Sequence, residues 1–222
     1  MEKNQYLFPA FDTLTPQQAE ILTSNSILVK HRKGEEIFRQ DKPISHLMFL
    51  TSGLVKIFKE DNEKHAVILK IIGPNKFVGL FSAFYDNRYL FSATALESCE
   101  MVYVSVPLIN EIIMENGRFA RQLIQHISND GIELMNKLLY FPKKQVPGRI
   151  AEVLLFFSIE IYGSNEYTLP LSRQELADLV YSTKESISRT LTEFKNDRMI
   201  EIDDRKISLK SIDLLKVLSK LG

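Results

Sequence analysis

The hydrophobic pattern of the chain changes near residue 106. From Ile27 to about Val106, short runs rich in Val, Ile and Phe alternate with Gly, Pro, Asn and Asp, the residues that accept turn geometry. Many short strands at even spacing predict a compact β domain of the barrel or sandwich type. Beyond Val106, apolar residues recur every three or four positions, which indicates helices.

Two helices are predicted directly after the strands. Pro107 suits the first turn of a short helix, and Gly117 offers that helix a C-terminal stop. A long helix is predicted from Arg118 to Tyr140, with apolar and small residues at alternating spacings of four and three, the seam of a coiled coil. These residues are Ala120, Ile124, Ile127, Gly131, Leu134 and Leu138. The stripe is wide enough to pack on the strand domain as well, and packing there alone is the alternative.

The segment after the long helix predicts a hinge, because Phe141–Gly148 contains two prolines and a glycine. Beyond it the chain is mostly helical. Ser172 and Glu175 have the spacing of a capping box, so a helix is predicted to begin there, and Thr183 is the predicted N-cap of the next helix. Met199–Leu209 has the pattern of a hairpin.

The second of these helices has an apolar and a polar face. The predicted inward residues are Ile187, Leu191 and Phe194. The predicted outward residues, within the first two turns, are Lys184, Glu185, Ser188 and Arg189. Arginine donates twice to guanine, glutamate accepts from cytosine and serine serves several base edges, so this face fits the reading of DNA. Ordinary helical packing is the competing interpretation, and for two short amphipathic helices it is the more common one.

Backbone contacts to DNA are predicted at the preceding helix. Ser172, Arg173 and Gln174 stand at its start, where exposed backbone N–H groups bind phosphate. Arg205 and Lys206 in the hairpin are further candidates for phosphate contacts, although the adjacent aspartates weaken that case.

Composition narrows the class of protein. The 222 residues include 28 Lys+Arg and 28 Asp+Glu, so any basic surface must be local. The single cysteine, Cys99, excludes an intramolecular disulfide and fits a reducing cytoplasm. No apolar stretch is long enough for a membrane span. We find no nucleophile elbow, phosphate-binding glycine loop or helical metal-ligand pair, so an enzyme is not expected.

The sequence resembles the CRP/FNR superfamily of bacterial regulators from about Ile27 to Leu209. Glu185, Ser188 and Arg189 match the E-x-x-S-R signature of its FNR-like branch, with Lys184 in place of a frequent arginine. Gly148–Ala151 matches the G-R-I-A that follows the family's hinge, and Gly34 and Gly53 fit glycine turns of its β-roll. Tyr181 departs from the pattern, since a glycine is usual between the two DNA-binding helices.

The resemblance implies an α+β fold and a homodimer that binds double-stranded DNA. The fold has an N-terminal β-roll (a cyclic-nucleotide-binding-like jelly roll), a long dimerisation helix and a C-terminal winged helix-turn-helix. The expected parts are an effector domain at 1–117, the dimerisation helix at 118–141, the hinge at 142–148 and the DNA-binding domain at 149–222. The implied operator is an inverted repeat resembling TTGAT-N4-ATCAA. RNA polymerase is left open as a further partner.

The resemblance also disfavours two cofactors that other members of the family bind, cyclic AMP and an iron–sulfur cluster. In members that bind cyclic AMP, a Gly-Glu pair holds the ribose, an Arg-Ser pair holds the phosphate and a Thr-Ser pair faces the adenine. The corresponding positions, which form the candidate effector pocket, are Gly79, Leu80, Phe91, Ser92, Leu134 and Met135. Without a carboxylate or guanidinium there, cyclic AMP is disfavoured. An iron–sulfur cluster is disfavoured as well, because no cysteine precedes Cys99.

No cofactor is predicted, while haem and a small apolar ligand stay open. The histidines available to haem are His31, His46, His65 and His126, which show no common spacing, and surface or packed histidines are the simpler interpretation. Cys99 is expected to be buried and inert. The rival to a DNA-binding regulator is a ligand-binding module whose C-terminal helices bind a partner protein, and it predicts no salt-dependent affinity for DNA.

Overall fold

The computed structural model describes residues 12–60 and 66–221. The chain divides into two compact units, one formed mainly by the chain up to Glu133 and the other mainly by the chain from Leu134. The elements up to the long helix are α1 (Pro16–Ser24), β1 (Ser26–His31), β2 (Glu36–Phe38), β3 (His46–Ser52), β4 (Val55–Glu60), β5 (Ala66–Ile72), β6 (Lys76–Val78), α2 (Leu80–Ala83), β7 (Ser92–Ala95), β8 (Cys99–Ser105) and α3 (Val106–Glu115). The long helix is α4 (Gly117–Tyr140), and it passes from the first unit into the second.

Two four-stranded sheets form the β domain. Their strand orders are β1-β8-β3-β6 and β2-β7-β4-β5. The registers that join β8 to β1 and β3, and β7 to β2 and β4, are antiparallel. Apolar side chains from both sheets meet in one core, which includes Phe38, Leu50 and Met101. This arrangement is the predicted jelly roll.

A second core lies between the β1-β8-β3-β6 sheet and the helices. Phe49 and Val102 contribute from the sheet, and Phe119 and Leu123 contribute from α4. Two ion pairs also connect β5 to α4. The Lys70 ammonium on β5 lies 2.6 Å from carboxylate oxygens of both Asp130 and Glu133 on α4. The first half of α4 is therefore part of the β domain's own packing.

The predicted role of Gly117 is wrong, because Gly117 begins α4 instead of stopping α3. Asn116 is the residue that separates the two helices. Its side-chain oxygen accepts the backbone N–H groups of Arg118 and Phe119, which caps α4 at its start. The sequence suggested glycine as the stop, whereas the asparagine side chain provides the boundary.

One predicted turn glycine is sterically required. Gly53 follows β3 with φ of 83°, and a Cβ atom there would collide with the carbonyl oxygen of Ser98. Only glycine avoids both the left-handed strain and this contact.

The second unit is mostly helical. Its elements after α4 are a 3₁₀ turn at Phe141–Lys143, α5 (Val146–Phe156), a π-helical segment at Phe157–Tyr162, β9 (Glu166–Thr168), α6 (Arg173–Val180), α7 (Lys184–Asn196), β10 (Ile200–Asp203), β11 (Lys206–Leu209) and α8 (Ile212–Leu221). The three strands form one antiparallel sheet in the order β10-β11-β9. α8 packs against α5.

The fold class is therefore confirmed: a β-roll, a long helix and a winged helix-turn-helix. The long helix ends at Tyr140, close to the predicted end at 141. However, the compact units separate near Leu134, within the helix, so its last turns go with the DNA-binding elements. In the part of the chain that the structure describes, no helix has the length and apolarity that crossing a bilayer requires.

Candidate nucleic-acid interface

A capping box sets the start of α6. The Ser172 hydroxyl accepts the backbone N–H of Glu175 at 3.2 Å, and the Glu175 carboxylate accepts the backbone N–H of Ser172 at 2.8 Å. Each side chain thus satisfies a backbone donor that the helix leaves open. The side chains that bury the inner face of α6 are Leu176, Ala177, Leu179 and Val180.

The turn between α6 and α7 keeps the geometry that glycine usually supplies. Tyr181 adopts the left-handed conformation, with φ of 53° and ψ of 56°. The next residue, Ser182, donates its backbone N–H to the carbonyl of Ala177 at 3.0 Å. Thr183 then caps α7 by accepting the backbone N–H of Ser186 at 3.2 Å. The tyrosine therefore changes the chemistry of the turn and preserves its backbone path.

α7 has the two faces that its spacing predicts. Ile187, Leu191 and Phe194 are buried. Lys184, Glu185, Ser188 and Arg189 are exposed on the first two turns. The structure therefore brings the four predicted reading residues together on one solvent-facing surface.

The charged groups of this surface are available to a ligand. Among residues 12–60 and 66–221, none forms a hydrogen bond or ion pair with the side chains of Lys184, Glu185 or Arg189. Ser188 donates its hydroxyl to the carbonyl of Lys184 at 3.0 Å, which leaves the lone pairs of the oxygen to accept. The surface therefore offers donors from two cations and acceptors from a carboxylate and a hydroxyl.

The predicted phosphate-binding residues stand together at the start of α6. Gln174 is exposed, and its side chain donates to Asp178 at 2.8 Å. Arg173 is half-buried and donates to the carbonyl of Asp204 in the β10–β11 turn at 3.2 Å. Burial lowers the pKa of Arg173, against the opposing effect of the Asp204 carboxylate. Arg173 thus joins α6 to the wing, a role that its place in the sequence did not reveal.

Three further residues surround the turn and were not predicted as part of the site. Arg149, in the first turns of α5, donates to the carbonyls of Val180 at 2.8 Å and Tyr181 at 3.2 Å. The Tyr181 ring meets Phe141 edge to face, and the Lys137 ammonium lies over both rings. Only Arg149 carried a signal in the sequence, as part of the G-R-I-A match.

The predicted dimerisation residues fall into two groups on α4. Ile124 and Leu138 are 61% and 63% exposed, and Leu134 is also exposed. Ala120 and Gly131 are half-buried. Ile127 is half-buried and also packs against the core of its own β domain, which includes Phe119 and Leu123. The helix therefore buries one face in its own unit and leaves an apolar face uncovered.

The described residues around Gly79 and Leu80, in the candidate effector pocket, pack closely against the protein's own side chains. Leu80 is 3% exposed and belongs to the core between sheet and helices. Phe38 and Tyr89 stack with ring centroids 3.8 Å apart, and both rings approach Gly79. Burial raises the pKa of Tyr89 to about 12, so this hydroxyl stays neutral at ordinary pH.

The polar atoms of the same region are already paired. The hydroxyl of Ser92 accepts the backbone N–H of Gln40, and the hydroxyl of Ser82 accepts that of Leu90, both at 3.1 Å. Phe91 is half-buried beside the inter-sheet core. The remaining predicted pocket residues, Leu134 and Met135, are exposed on the part of α4 that belongs to the second unit.

The histidines are paired or packed. His31 is buried, with Nδ1 2.9 Å from the Glu35 carboxylate and Nε2 2.9 Å from the Tyr103 hydroxyl. His46 bonds to Ser45, and His126 meets the Phe77 ring edge to face. His65 lies outside the described residues.

Cys99 is buried, and burial raises the pKa of its thiol to about 11. Within the described ranges, no three of the residues His, Cys, Asp and Glu are grouped as metal ligands.

Comparison with known proteins identifies both parts of the chain. Residues 28–116 match the cyclic nucleotide-binding domain family, and residues 148–218 match the Crp-like helix-turn-helix domain family. Together these matches take in most of the chain. The chain is a transcription regulator of the CRP/FNR family.

Relatives of this CRP/FNR regulator include an Fnr-type activator and a CRP-like regulator. The transcriptional activator protein FnrA of Stutzerimonas stutzeri is 26% identical over 182 residues, which are 80% of this chain and 74% of that protein. The CRP-like cAMP-activated global transcriptional regulator of Mycobacterium tuberculosis is 24% identical over 209 residues, which are 92% of this chain and 93% of that one. Among solved structures, FixK2 from Bradyrhizobium japonicum has a TM-score of 0.80 at 20% identity and covers 89% of this chain and 98% of its own, a likeness of fold.

Proposed function

We propose that this CRP/FNR regulator binds, as a homodimer, an inverted repeat resembling TTGAT-N4-ATCAA through α7, and that it does so without cyclic AMP. The observation that carries the proposal is the exposed set of Lys184, Glu185, Ser188 and Arg189 on the first two turns of α7. A helix that enters the major groove contacts bases with its N-terminal residues.

The side chains on α7 match the hydrogen-bonding groups of the proposed half-site. Arg189 can donate two parallel hydrogen bonds to O6 and N7 of a guanine, and TTGAT contains one. Glu185 can accept from the N4 amine of the cytosine that pairs with that guanine. The Ser188 hydroxyl donates its proton to the Lys184 carbonyl, so its oxygen can act only as an acceptor toward DNA.

Contacts to the DNA backbone would fix the register of α7. In the capping box the Ser172 hydroxyl only accepts a hydrogen bond, so its own proton can donate to a phosphate beside the exposed backbone N–H groups at the start of α6. Gln174 is exposed there and adds an amide donor. Arg173 acts mainly by holding the wing turn through the Asp204 carbonyl.

The uncovered face of α4 supports the homodimer. Ile124, Gly131 and Leu138 recur every seven residues, and both large side chains are mostly exposed in the single chain. A second copy of the same helix would cover them and set two α7 helices about 34 Å apart, one turn of DNA.

Four observations on the described part of the β-roll support independence from cyclic AMP. An anionic phosphate needs a cation, and position 91 is a phenylalanine. A ribose hydroxyl needs an acceptor, and position 80 is a buried leucine. The Ser92 hydroxyl already accepts a backbone N–H, and the Phe38–Tyr89 stack fills the space beside Gly79. We therefore propose that this chain does not share the activation by cyclic AMP that the name of the mycobacterial relative states.

Fluorescence anisotropy tests the proposal directly. The purified full chain is titrated onto a duplex with TTGAT-N4-ATCAA and onto a scrambled duplex of the same composition, at physiological salt and without nucleotide. We expect the inverted repeat to bind at least about a thousandfold more tightly. Equal affinities would refute sequence-specific reading, and no salt-dependent binding to either duplex would favour the partner-protein alternative.

A further inference from the structure

A cluster of side chains joins the helix-turn-helix turn to the end of α4. The Tyr181 and Phe141 rings meet edge to face with centroids 5.7 Å apart. The Lys137 ammonium lies 5.3 Å from the Tyr181 centroid and 5.2 Å from the Phe141 centroid. Lys137 lies in the last turn of α4, and Phe141 follows that helix directly. The cluster therefore connects the end of α4 to the turn between α6 and α7.

Arg149 holds the backbone around this cluster. Its guanidinium donates to the carbonyls of Val180, Tyr181 and Lys144 at 2.8, 3.2 and 2.9 Å. The same group lies 5.6 Å from the centroid of the Phe141 ring. One side chain on α5 therefore ties the end of α6, the turn and the segment after α4 to each other.

Two members of the cluster are held at a cost in folding free energy. Tyr181 occupies the left-handed region at φ of 53°, which glycine adopts without strain. Burial lowers the pKa of Lys137 to about 8, so the folded state disfavours its charge. Strain and buried charge that packing could avoid point to a function for the contacts that they make.

We propose that Tyr181 is a positioning residue that fixes the direction of α7 against the end of α4 through Phe141 and Lys137. This inference rests on the proposed function, because a fixed direction matters only if α7 reads bases. α7 begins three residues after Tyr181, so its first two turns inherit the orientation of the turn. Base contacts carry the sequence information and require that geometry, whereas phosphate contacts are the same for every sequence, so a change in the direction of α7 should lower specific affinity more than non-specific affinity.

Tyr181→Gly separates the ring contacts from the backbone. Glycine accepts the left-handed turn, so we expect the chain to stay folded and its melting temperature to stay close to that of the wild type. Affinity for the inverted repeat should fall about tenfold, the size of one lost bidentate base contact, while affinity for scrambled DNA stays unchanged. Tyr181→Phe keeps the ring and should retain wild-type selectivity.

Arg198→Gly is the matched control. Arg198 is another left-handed residue of the same domain, with φ of 57°, and it follows the far end of α7. Its replacement relieves the same backbone strain away from the cluster, so the ratio of specific to non-specific affinity should not change. A Tyr181→Gly variant as selective as the wild type would overturn the inference.

A measurement without DNA distinguishes this inference from the proposed function. Spin labels are attached at Asn136→Cys on α4 and Glu193→Cys on α7, in a Cys99→Ser background. The labelled chain is diluted with excess unlabelled chain, and pulsed electron paramagnetic resonance gives the distribution of distances between the two labels. Tyr181→Gly should broaden that distribution, and Tyr181→Phe should not. If the wild type does not prefer the inverted repeat, the proposed function is wrong, but the width of the distance distribution still tests the positioning role. An unchanged width in Tyr181→Gly would overturn that role.

Discussion

The interior of the β-roll and the exposed face of α7 differ in how their polar groups are satisfied. In the β-roll, the hydroxyls of Ser82 and Ser92 and both ring nitrogens of His31 are paired within the protein. On α7, the charged ends of Lys184 and Arg189 face solvent without a partner in the described chain. Paired, buried polar groups stabilise a fold, whereas exposed, unpaired ones are available to a ligand. This difference supports the proposal that α7 is a recognition surface, and the paired groups named in the β-roll stabilise its fold.

The largest expected effect tests whether the candidate effector position is closed. Leu80→Glu would bury a carboxylate in the core between sheet and helices, and we expect it to lower the free energy of unfolding by about 3–5 kcal/mol. Phe81→Glu, the neighbouring and exposed residue of α2, should have a much smaller effect. Chemical denaturation of both variants measures the difference. If the two cost the same small amount, position 80 lines an open site and the contrast fails.

The second prediction concerns the uncovered face of α4. Leu138→Asp would place a charge on the proposed dimer seam, so the chain should sediment as a monomer in analytical ultracentrifugation. Affinity for the inverted repeat should drop about a hundredfold, because the two half-sites are no longer bound together. Met114→Asp, at an exposed apolar residue of α3, should leave both properties unchanged. A Leu138→Asp dimer would show that the helix uses another face.

The third prediction is that the buried charge of Lys137 lowers the free energy of unfolding. The folded-state pKa of Lys137 is lowered to about 8 from 10.5, mainly by burial and against the attraction of Glu152. The unfolded chain therefore binds more protons between those values, and stability from this group rises with pH across that window. Lys137→Met should stabilise the protein by about 1–3 kcal/mol at pH 7, since lost cation–π contacts offset part of the gain.

Thermal unfolding from pH 7 to 10.5 checks this prediction. The advantage of Lys137→Met should shrink as the wild-type lysine loses its proton, and it should vanish near the upper end of the range. The charged neighbours Lys144, Glu152 and Arg149 are present in both proteins, so the comparison isolates the removal of the Lys137 charge. An advantage that does not depend on pH would mean that Lys137 is not held at a cost.

The smallest expected effect is the response to cyclic AMP. Without a cation at position 91 or a carboxylate at position 80, millimolar cyclic AMP should leave the melting temperature unchanged. Inverted-repeat affinity should be equally insensitive to the nucleotide. A shift of several degrees would show that the β-roll binds the nucleotide by other groups and is itself a recognition site.

Local chemistry explains what the sequence made predictable. The capping residues Ser172 and Thr183 and the buried Ile187, Leu191 and Phe194 follow from spacing within one short stretch, and the structure confirms them. Their determinants lie a few residues apart, where helix periodicity and capping rules apply. The fold class followed from the same regularity together with the resemblance.

Long-range contacts explain what the sequence did not reveal. The Phe38–Tyr89 stack and the Tyr181–Phe141 contact join residues far apart in the chain, and no local pattern marks them. The prediction for Gly117 was wrong because the Asn116 side chain provides the cap. The packing of Ile127 on its own β domain was not revealed either, because the predicted seam and the inward face of α4 share one apolar stripe.

The central claim is that Arg189 reads the guanine of TTGAT, and a double-mutant cycle between that side chain and that base tests it most directly. Anisotropy gives the affinities of the wild type and Arg189→Ala for the inverted repeat and for a repeat with each such guanine replaced, with Arg198→Ala as the charge-matched control. Replacing the guanine should cost the wild type and the control about 1–3 kcal/mol more than it costs Arg189→Ala, which loses only the contact of Glu185 with the paired cytosine. The same cost in all three proteins would mean that Arg189 does not contact this base.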